Sequence, residues 1–392
     1  MTNTRVEITG KGDASVVRVV KAAALPRPEA GAVLIRVEAT SAVFTDRLIR
    51  QGQYPPIATK PGLVLGYDFV GRVEQLGPGV TDLSVGDRVA DLIQVGGNAE
   101  YICRPVQGLV PVPEDLDAAE AETLILSYMT AYQMLTRRAQ VQPGQRVLIQ
   151  GATGAVGLAL LQLGRDMDLS MVGTASARHL DPIRRYGATA IDYRAPDFQA
   201  QLRRAGGDGY DAIFDGAGSL SPADSLKLLN PGGTLVVYGF TSLVRQQDRT
   251  TGLGGKLTGA LTFASRMAQV ALLGALPNGK SVHFYSIADD RKHHPDWFQV
   301  DLQALFDLLR AGRIHPQIAG QFSLEEAPEA HRLLDQGGLV GRLVLRVWVH
   351  PPRKLAQPPG VPKTYDYNRA VLPVGLFHHY GAPKTNTDAH PA

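Results

Sequence analysis

The first part of the chain alternates short hydrophobic runs with turn residues. Between Val6 and about Val112, runs rich in Val and Ile, such as AVLIRVEA (Ala32–Ala39) and FVGRVEQLG (Phe69–Gly77), are separated by Gly and Pro. Short runs with turn residues between them are typical of an antiparallel barrel or sandwich. We therefore predict a β domain at the start of the chain.

A different pattern begins at Asp117. Apolar residues recur there at helical spacing through Leu135, and strand-like and helical segments then alternate as far as TLVVYG (Thr234–Gly239). Strands that alternate with helices indicate a doubly wound parallel sheet. An amphipathic helix at Leu302–Leu309 precedes a last strand within Leu339–Val349, and we expect this strand to rejoin the first domain.

These patterns predict an α/β fold class, in which a β-barrel domain accompanies a Rossmann doubly wound parallel sheet. The barrel domain is predicted at 1–125 and 300–350, and the sheet domain at 126–299, with an irregular insertion at about 241–299. The segment 351–392 is rich in proline and is expected to form an extended or disordered tail. A chain of 392 residues is long enough for two cores and a cleft between them.

Composition excludes several classes of function. Lys and Arg number 40 against 37 Asp and Glu, a net charge of +3 without a dense basic run, so we expect no nucleic-acid partner. Cys103 is the single cysteine and His179 is the first histidine, so the chain has no disulfide framework and the first domain has no zinc ligand set. We therefore predict no metal site.

The N-terminus contains no hydrophobic signal segment, so we expect a cytoplasmic protein. The most apolar window, Leu257–Pro277, is interrupted by Arg266 and is expected to be a buried or interfacial helix, not a membrane span. Membrane contact is not expected, although peripheral lipid binding by this window is an alternative.

A glycine-rich motif, GATGAVG, follows the strand-like VLIQ (Val147–Gln150) and precedes a helical run. Its three glycines allow a tight turn and a close backbone approach to a pyrophosphate, which rests on amides at a helix N-terminus. We predict that the cofactor-binding turn consists of Gly151, Ala152, Thr153, Gly154, Ala155, Val156 and Gly157.

The residues after the next strand favour NADPH over NADH. An NAD site places an Asp or Glu near the ribose 2′-hydroxyl, whereas the stretch GTASARHL has no acid before Asp181. Thr174, Ser176 and Arg178 offer hydroxyl groups and a cation that suit a 2′-phosphate, and Tyr193 ends the following strand. NADH stays the alternative if Arg178 is only a solvated helix residue.

Several motifs resemble the medium-chain dehydrogenase/reductase superfamily. They are FTDRLIRQGQYP (Phe44–Pro55), PGLVLGYDFVGRVEQLGPGV (Pro61–Val80), PGQRVLIQGATGAVG (Pro143–Gly157) and PGGTLVVYG (Pro231–Gly239). The match covers about 33–345 and is most similar to the zinc-independent quinone oxidoreductase branch, which includes VAT-1-like proteins.

The resemblance implies a GroES-like β-barrel catalytic domain, a Rossmann domain that binds NADPH, and a homodimer. Zinc-dependent relatives carry Cys, His and Glu where this chain has Val43, Tyr67 and Asp68, and the reductase branch usually has Asn at the position of Val43. The resemblance also implies that Arg342, on the last strand, contacts the 2′-phosphate. Gly216, Tyr238, Gly239 and Phe240 are also predicted to bind the cofactor.

The predicted reaction is hydride transfer from NADPH to a quinone or to an enone or enoyl acceptor. Such a conjugated acceptor takes a hydride and leaves charge on an oxygen that hydrogen-bond donors stabilise. The predicted catalytic residues are Tyr54 and Tyr67, and the predicted substrate pocket contains Val43, Phe44 and Tyr128. Asp46 and Arg50 are predicted to form an ion pair along one helix, outside the chemistry.

One alternative function belongs to a different class. Val43 replaces an amide that the reductase branch uses near the reacting groups, and the segment at 241–299 is long. Both features fit an NADPH-binding structural or vesicle-associated protein with little or no turnover.

Overall fold

The structure is a computed structural model that describes residues 2–22, 24–238, 265, 268–275 and 277–347. The chain divides into two units, 1–349 and 350–392, and every described residue belongs to the first. The predicted tail at 351–392 and most of the apolar window Leu257–Pro277 therefore lie outside the described residues.

A long strand, β3 (Ala32–Ala42), organises the first domain. It is rich in Val, Ile and Ala, which favour a pleated and buried surface, and most of its side chains are buried. The other strands of its seven-stranded sheet are β5 (Asp68–Leu76), β6 (Arg88–Leu92), β7 (Tyr101–Pro105), β8 (Val110–Pro111), β15 (Ile318–Ser323) and β16 (Arg342–Arg346). The order is β15-β16-β3-β5-β6-β8, and β7 pairs with β3. Because β16 pairs antiparallel with β3, the predicted return of the last strand to the first domain is confirmed.

A second, smaller sheet completes this domain. Its strands are β1 (Asn3–Ile8), β2 (Val17–Ala22) and β4 (Leu63–Val64), in the order β2-β1-β4. β1 pairs antiparallel with both neighbours. The predicted β domain is therefore present, as two sheets built mostly from antiparallel pairs.

The second domain is a six-stranded parallel sheet. Its strands are β9 (Arg146–Gln150), β10 (Ser170–Ala175), β11 (Thr189–Asp192), β12 (Tyr210–Asp215), β13 (Leu229–Tyr238) and β14 (Ser281–Tyr285). The order is β11-β10-β9-β12-β13-β14, and every neighbouring pair is parallel. The strand order reverses at β9, and ligands bind outside the carboxyl ends of the strands at such a point. The predicted Rossmann sheet is confirmed.

The described helices are α1 (Phe44–Gln51), α2 (Ala118–Thr123), α3 (Met129–Gln133), α4 (Ala155–Asp166), α5 (Asp181–Arg184), α6 (Phe198–Gly206), α7 (Pro222–Leu228), α8 (Ile287–His293), α9 (Pro295–Arg310) and α10 (Ala327–Gln336). Two π-helical turns, Leu124–Tyr128 and Met134–Arg138, flank α3. Short 3₁₀ helices occupy Ala14–Val16 and Ala177–His179. The helical segment from α2 onwards leads from the first domain into the parallel sheet.

One predicted segment differs from the structure. The segment predicted as an insertion, 241–299, contains β14, which is the edge strand of the parallel sheet beside β13. A five-residue edge strand has too short a hydrophobic run to be separated from a loop by periodicity alone.

A buried arginine anchors α1. Arg50 is fully buried and donates through Nη1 to the carbonyl oxygen of Gly12 (3.0 Å) and through Nη2 to Asp335 on α10. Asp335 also pairs with Arg47, one helical turn earlier on α1. The predicted ion pair between Asp46 and Arg50 is therefore wrong, because the carboxylate that Arg50 contacts lies 285 residues away along the chain.

Asp335→Ala tests this anchor. The substitution leaves the Arg50 guanidinium buried without its carboxylate, so we expect the free energy of unfolding to fall by about 2–3 kcal/mol. Urea unfolding followed by circular dichroism measures the change. Asp307→Ala, which removes a carboxylate from the exposed side of α9, is the matched control and should cost less than about 0.5 kcal/mol. If both variants lose the same free energy of unfolding, the Arg50–Asp335 pair does not anchor α1.

Candidate active site

One cavity of about 590 Å³ is lined by residues of both domains. It lies outside the carboxyl ends of β9, β10 and β12, beside the start of α1. Of the predicted site residues, its lining includes Val43, Phe44, Tyr54, Tyr67, Gly151, Thr153, Gly154, Ala155, Val156, Gly157, Ser176, Arg178, Tyr193, Gly216, Tyr238 and Arg342. The tertiary structure thus brings residues separated by up to 300 positions to one site.

The glycine turn after β9 allows a close backbone approach. Gly151 has φ +78°, a left-handed conformation that other residues rarely adopt. A Cβ atom on Gly157 would lie 2.4 Å from the carbonyl oxygen of Gly151 and 2.7 Å from backbone atoms of Ala152. Only glycine therefore lets α4 pack against the turn. The N-cap of α4 is Gly154, so the first backbone N–H groups of this helix are donors at the cavity wall.

The ends of β10 and β11 bring hydroxyl groups and a cation together. Ala175 pairs with Asp192 in the parallel ladder, and the backbone N of Tyr193 donates to the carbonyl oxygen of Ala175 (3.1 Å). The residues that follow β10 and β11, Ser176 and Tyr193, consequently reach the same cavity, together with Arg178. This arrangement offers donors to an anionic group.

Two predicted cofactor residues support the turn from below. Thr174 and Ala152 are fully buried and do not belong to the cavity lining. The backbone N of Gly151 donates to Oγ1 of Thr174 (3.4 Å), and the backbone N of Ala152 donates to the Thr174 carbonyl oxygen (2.9 Å). Thr174 and Ala152 therefore act by holding the turn in its conformation. Gly239 and Phe240 lie outside the described residues.

Two tyrosine hydroxyls lie close together in the cavity wall that the first domain forms. The Oη atoms of Tyr54 and Tyr67 are 3.1 Å apart. Tyr54 follows the left-handed Gly52 that ends α1, and Tyr67 immediately precedes β5. Burial raises the pKa of Tyr54, and burial together with the neighbouring Tyr54 raises the pKa of Tyr67 well above its ordinary value. Both hydroxyls therefore keep their protons at neutral pH and can donate them.

A buried carboxylate fixes the start of α1. Oδ2 of Asp46 accepts from the backbone N of Val43 (2.9 Å), and Oδ1 accepts from the backbone N of Gly66 (3.2 Å). These bonds hold Val43 next to the loop that leads to Tyr67. Burial raises the pKa of Asp46 from 3.8 to about 7, although both hydrogen bonds favour the carboxylate.

Arg342 is the centre of a buried polar network. Its guanidinium contacts Asp68 on β5, Glu122 on α2 (2.7 Å), Ser41 Oγ (2.7 Å) and Ser127 Oγ (3.0 Å). Both carboxyl groups are fully buried. Burial raises the pKa of Glu122 well above its usual range, against the opposing effect of Arg342.

The described part of the chain contains no group of three or more His, Cys, Asp or Glu side chains placed to hold a metal ion. Over the same residues, no helix combines the length and the hydrophobicity that a membrane crossing requires.

The chain is similar to known oxidoreductases over most of its length. Family models match residues 29–114 (alcohol dehydrogenase GroES-like domain) and residues 186–345 (zinc-binding dehydrogenase). A 2-haloacrylate reductase of Burkholderia sp is 30% identical over 328 residues, which cover 81% of this chain and 91% of that protein. The chain belongs to the medium-chain dehydrogenase/reductase superfamily.

Other members of the superfamily fall in the VAT-1 and quinone oxidoreductase branch. The human synaptic vesicle membrane protein VAT-1 homolog is 30% identical over 345 residues, which cover 86% of this chain and 85% of that protein. The structure of a mycobacterial quinone oxidoreductase has a TM-score of 0.69 at 27% identity, over 88% of this chain and 99% of that one. A mycobacterial protein in complex with NADPH has a TM-score of 0.70 at 26% identity, with the same coverage.

Within this member of the superfamily, two predicted roles need correction. The structure commits both terminal nitrogens of Arg342 to the buried network, so this residue is not retained as a ligand of the 2′-phosphate. Tyr128 is 2% exposed and does not line the cavity, whereas its neighbours Leu126, Ser127 and Thr130 do. The prediction for Tyr128 rests on its position near the start of the connecting helix, and this part of the helix is a π-helical turn, Leu124–Tyr128, in which Tyr128 packs into the core.

The cavity also contains residues that the sequence analysis did not identify. They include Arg47, His179, Arg194, Phe284 and Tyr285. The Tyr285 hydroxyl donates to Oε1 of Gln133 (2.8 Å) on α3. Tyr285 lies on β14, in the segment predicted as an insertion, so no sequence signal indicated it. Arg194 directly follows Tyr193 and could have been found from that position.

Asp46→Asn tests the buried carboxyl at the start of α1. Its pKa is about 7 in the folded protein and 3.8 when unfolded, so the native state holds an extra proton between about pH 4 and 7. Rising pH in this window therefore costs the wild type stability, up to about 1.4 kcal/mol per pH unit. The asparagine side chain does not titrate in this range, and its amide nitrogen cannot accept one of the two backbone hydrogen bonds that Asp46 accepts. We expect the variant to be less stable at pH 5 and the difference to narrow at pH 8, as measured by urea unfolding.

Asp307→Asn, on the exposed side of α9, is the control and should show the same difference from the wild type at both pH values. A difference for Asp46→Asn that stays constant from pH 5 to pH 8 would exclude a raised pKa at this position.

Proposed function

We propose that this oxidoreductase uses NADPH to reduce a quinone or an α,β-unsaturated carbonyl compound. One observation carries the proposal: the glycine turn with Arg178 and the hydroxyl pair of Tyr54 and Tyr67 line the same cavity. A cofactor site and a proton-donating site in one cavity suit a reaction that adds a hydride and a proton to an acceptor.

The residues present fit a dinucleotide with a 2′-phosphate. The missing side chain at Gly157 permits the close approach of α4, whose free N–H groups suit a pyrophosphate. No acid precedes Asp181 after β10, and Ser176, Arg178 and Tyr193 would hold the 2′-phosphate. The complex of a related mycobacterial protein with NADPH supports the choice of cofactor.

Bound NADPH would supply a hydride to the acceptor. The chain contributes position and a proton: Tyr54 donates its hydroxyl proton to the acceptor oxygen on which negative charge develops. Tyr67, whose hydroxyl is 3.1 Å away, then passes a proton to Tyr54 and takes one from water that enters the cavity, so both hydroxyls end the cycle protonated. Burial raises the pKa of both hydroxyls, so both are protonated at neutral pH before the reaction.

The walls around the two tyrosines favour an uncharged conjugated acceptor. Val43, Phe44 and Phe284 line the cavity with apolar surface, which suits a flat ring or an enone. Two relatives, a 2-haloacrylate reductase and a quinone oxidoreductase, are named for conjugated substrates, which supports a conjugated acceptor. Val43, in place of an amide, points to an acceptor that needs no hydrogen bond at this position.

Tyr54→Phe is the direct test of the proposed chemistry. With NADPH and 9,10-phenanthrenequinone, 1,4-benzoquinone or a medium-chain enone, we expect kcat to fall by about 100-fold, because the acceptor oxygen loses its proton donor. Tyr67→Phe should lower kcat by about tenfold and leave the KM for NADPH within about twofold, since it acts through Tyr54. The measurement is the loss of nicotinamide absorbance at 340 nm.

Tyr101→Phe is the matched control, because this tyrosine lies on β7 and outside the cavity lining. If wild-type protein binds NADPH but turns over none of these acceptors, the alternative of a binding or vesicle-associated protein is favoured, as the VAT-1 relatives suggest. If Tyr54→Phe and Tyr101→Phe are equally active, the tyrosine pair has no role in the chemistry.

Arg178→Glu tests the choice of cofactor. A glutamate places a negative charge next to the proposed 2′-phosphate, so we expect NADPH to bind at least 100-fold more weakly, while NADH binding changes by less than about threefold. Fluorescence titration of the nicotinamide gives both dissociation constants. An equal loss for NADPH and NADH would mean that Arg178 does not read the 2′-phosphate.

A further inference from the structure

Arg194 extends the cationic part of the cavity beyond the residues expected from sequence. It directly follows Tyr193 at the end of β11 and lines the cavity together with Ser176, Arg178 and Tyr193. Its backbone N donates to Oδ1 of Asp192 (3.0 Å), which directs that carboxylate oxygen to the backbone of the turn. Its guanidinium carbon lies 5.3 Å from the centre of the Tyr193 ring. Stacking on this ring holds the cation at the cavity wall.

The turn after α10 lies next to the first cation. Gly338 has φ +75°, and a Cβ atom at this position would lie 3.0 Å from Nη2 of Arg178 and 3.8 Å from Cε1 of His179. Gly338 itself lines the cavity, and the Arg178 side chain stays exposed to solvent beside it.

The charge of a phosphate monoester requires more than one cation. At pH 7 such a group carries about −1.5 to −2 charges, and Arg178 supplies one positive charge. Arg342 cannot supply the second, because its terminal nitrogens bind Asp68, Glu122 and two serines. Arg194 is the other arginine that follows the ends of β10 and β11 at this cavity.

We propose that Arg194 is the second cation for the 2′-phosphate of NADPH and, with Arg178, determines the preference for NADPH over NADH. This inference rests on the proposed function, whose cofactor it specifies. Tyr193, whose ring stacks against the Arg194 guanidinium, lines the same cavity as both arginines and adds a hydroxyl donor.

The test uses ligands without a nicotinamide, so that it is independent of turnover. Adenosine 2′,5′-bisphosphate carries the 2′-phosphate and 5′-AMP lacks it. Isothermal titration at fixed ionic strength compares both ligands with wild-type protein, Arg194→Gln, Arg194→Lys and Arg185→Gln. Arg185 is exposed at the end of α5 and outside the cavity lining, so its variant has the same net charge as Arg194→Gln.

We expect Arg194→Gln to bind the bisphosphate about tenfold more weakly, because one charge-assisted contact is lost, and to bind 5′-AMP within about twofold of the wild type. Arg194→Lys should recover most of the loss, and Arg185→Gln should match the wild type. Thermal unfolding of each variant checks that the fold is intact.

Two results overturn the inference and leave the cofactor assignment standing: no change in Arg194→Gln, or an equal loss for both ligands. In these cases the wild type still prefers the bisphosphate over 5′-AMP. If the wild type binds the two ligands equally, the proposed use of NADPH fails and this inference fails with it.

Discussion

The pairing of one buried guanidinium with two buried carboxyl groups joins the parts of the molecule that the site requires. Arg342 on β16, Asp68 on β5 and Glu122 on α2 are distant in the chain and meet without access to water. Removing Arg342 would leave Asp68 and Glu122 buried without a cation, which is far costlier than losing an exposed ion pair. The network therefore fixes the last strand, the first domain and the connecting helical segment relative to one another. Tyr67, the residue before Asp68, takes its position from this arrangement.

The cofactor half of the site depends on topology more than on particular side chains. Parallel strands place all their carboxyl ends at one edge, so the turn after β9 and the residues after β10 and β11 converge there. Pairing between the parallel strands brings these residues together, and the missing side chain at Gly157 leaves space for α4 to pack against the turn. Specificity then depends on the few side chains that follow those strands.

The chemical half depends on α1. Asp46 holds the first turn through two backbone hydrogen bonds, and Arg50 holds the last turn through Asp335. Between them α1 delivers Val43 to the cavity and leads to the loop that carries Tyr54. In the proposed reduction of a conjugated carbonyl, the two adjacent hydroxyls would act as a proton donor and its relay.

The sequence by itself determined the two domains, the parallel sheet, the glycine turn and the residues after β10 and β11, because each of these follows from local periodicity or from a motif within one strand–turn–helix unit. Periodicity could not indicate β14, and position along the connecting helix did not show that Tyr128 packs into the core. Only the tertiary structure decided the partners of Arg50 and Arg342 and the contact between Tyr54 and Tyr67. These pairs join residues on different elements, and spacing along the chain carries no information about contacts that packing creates.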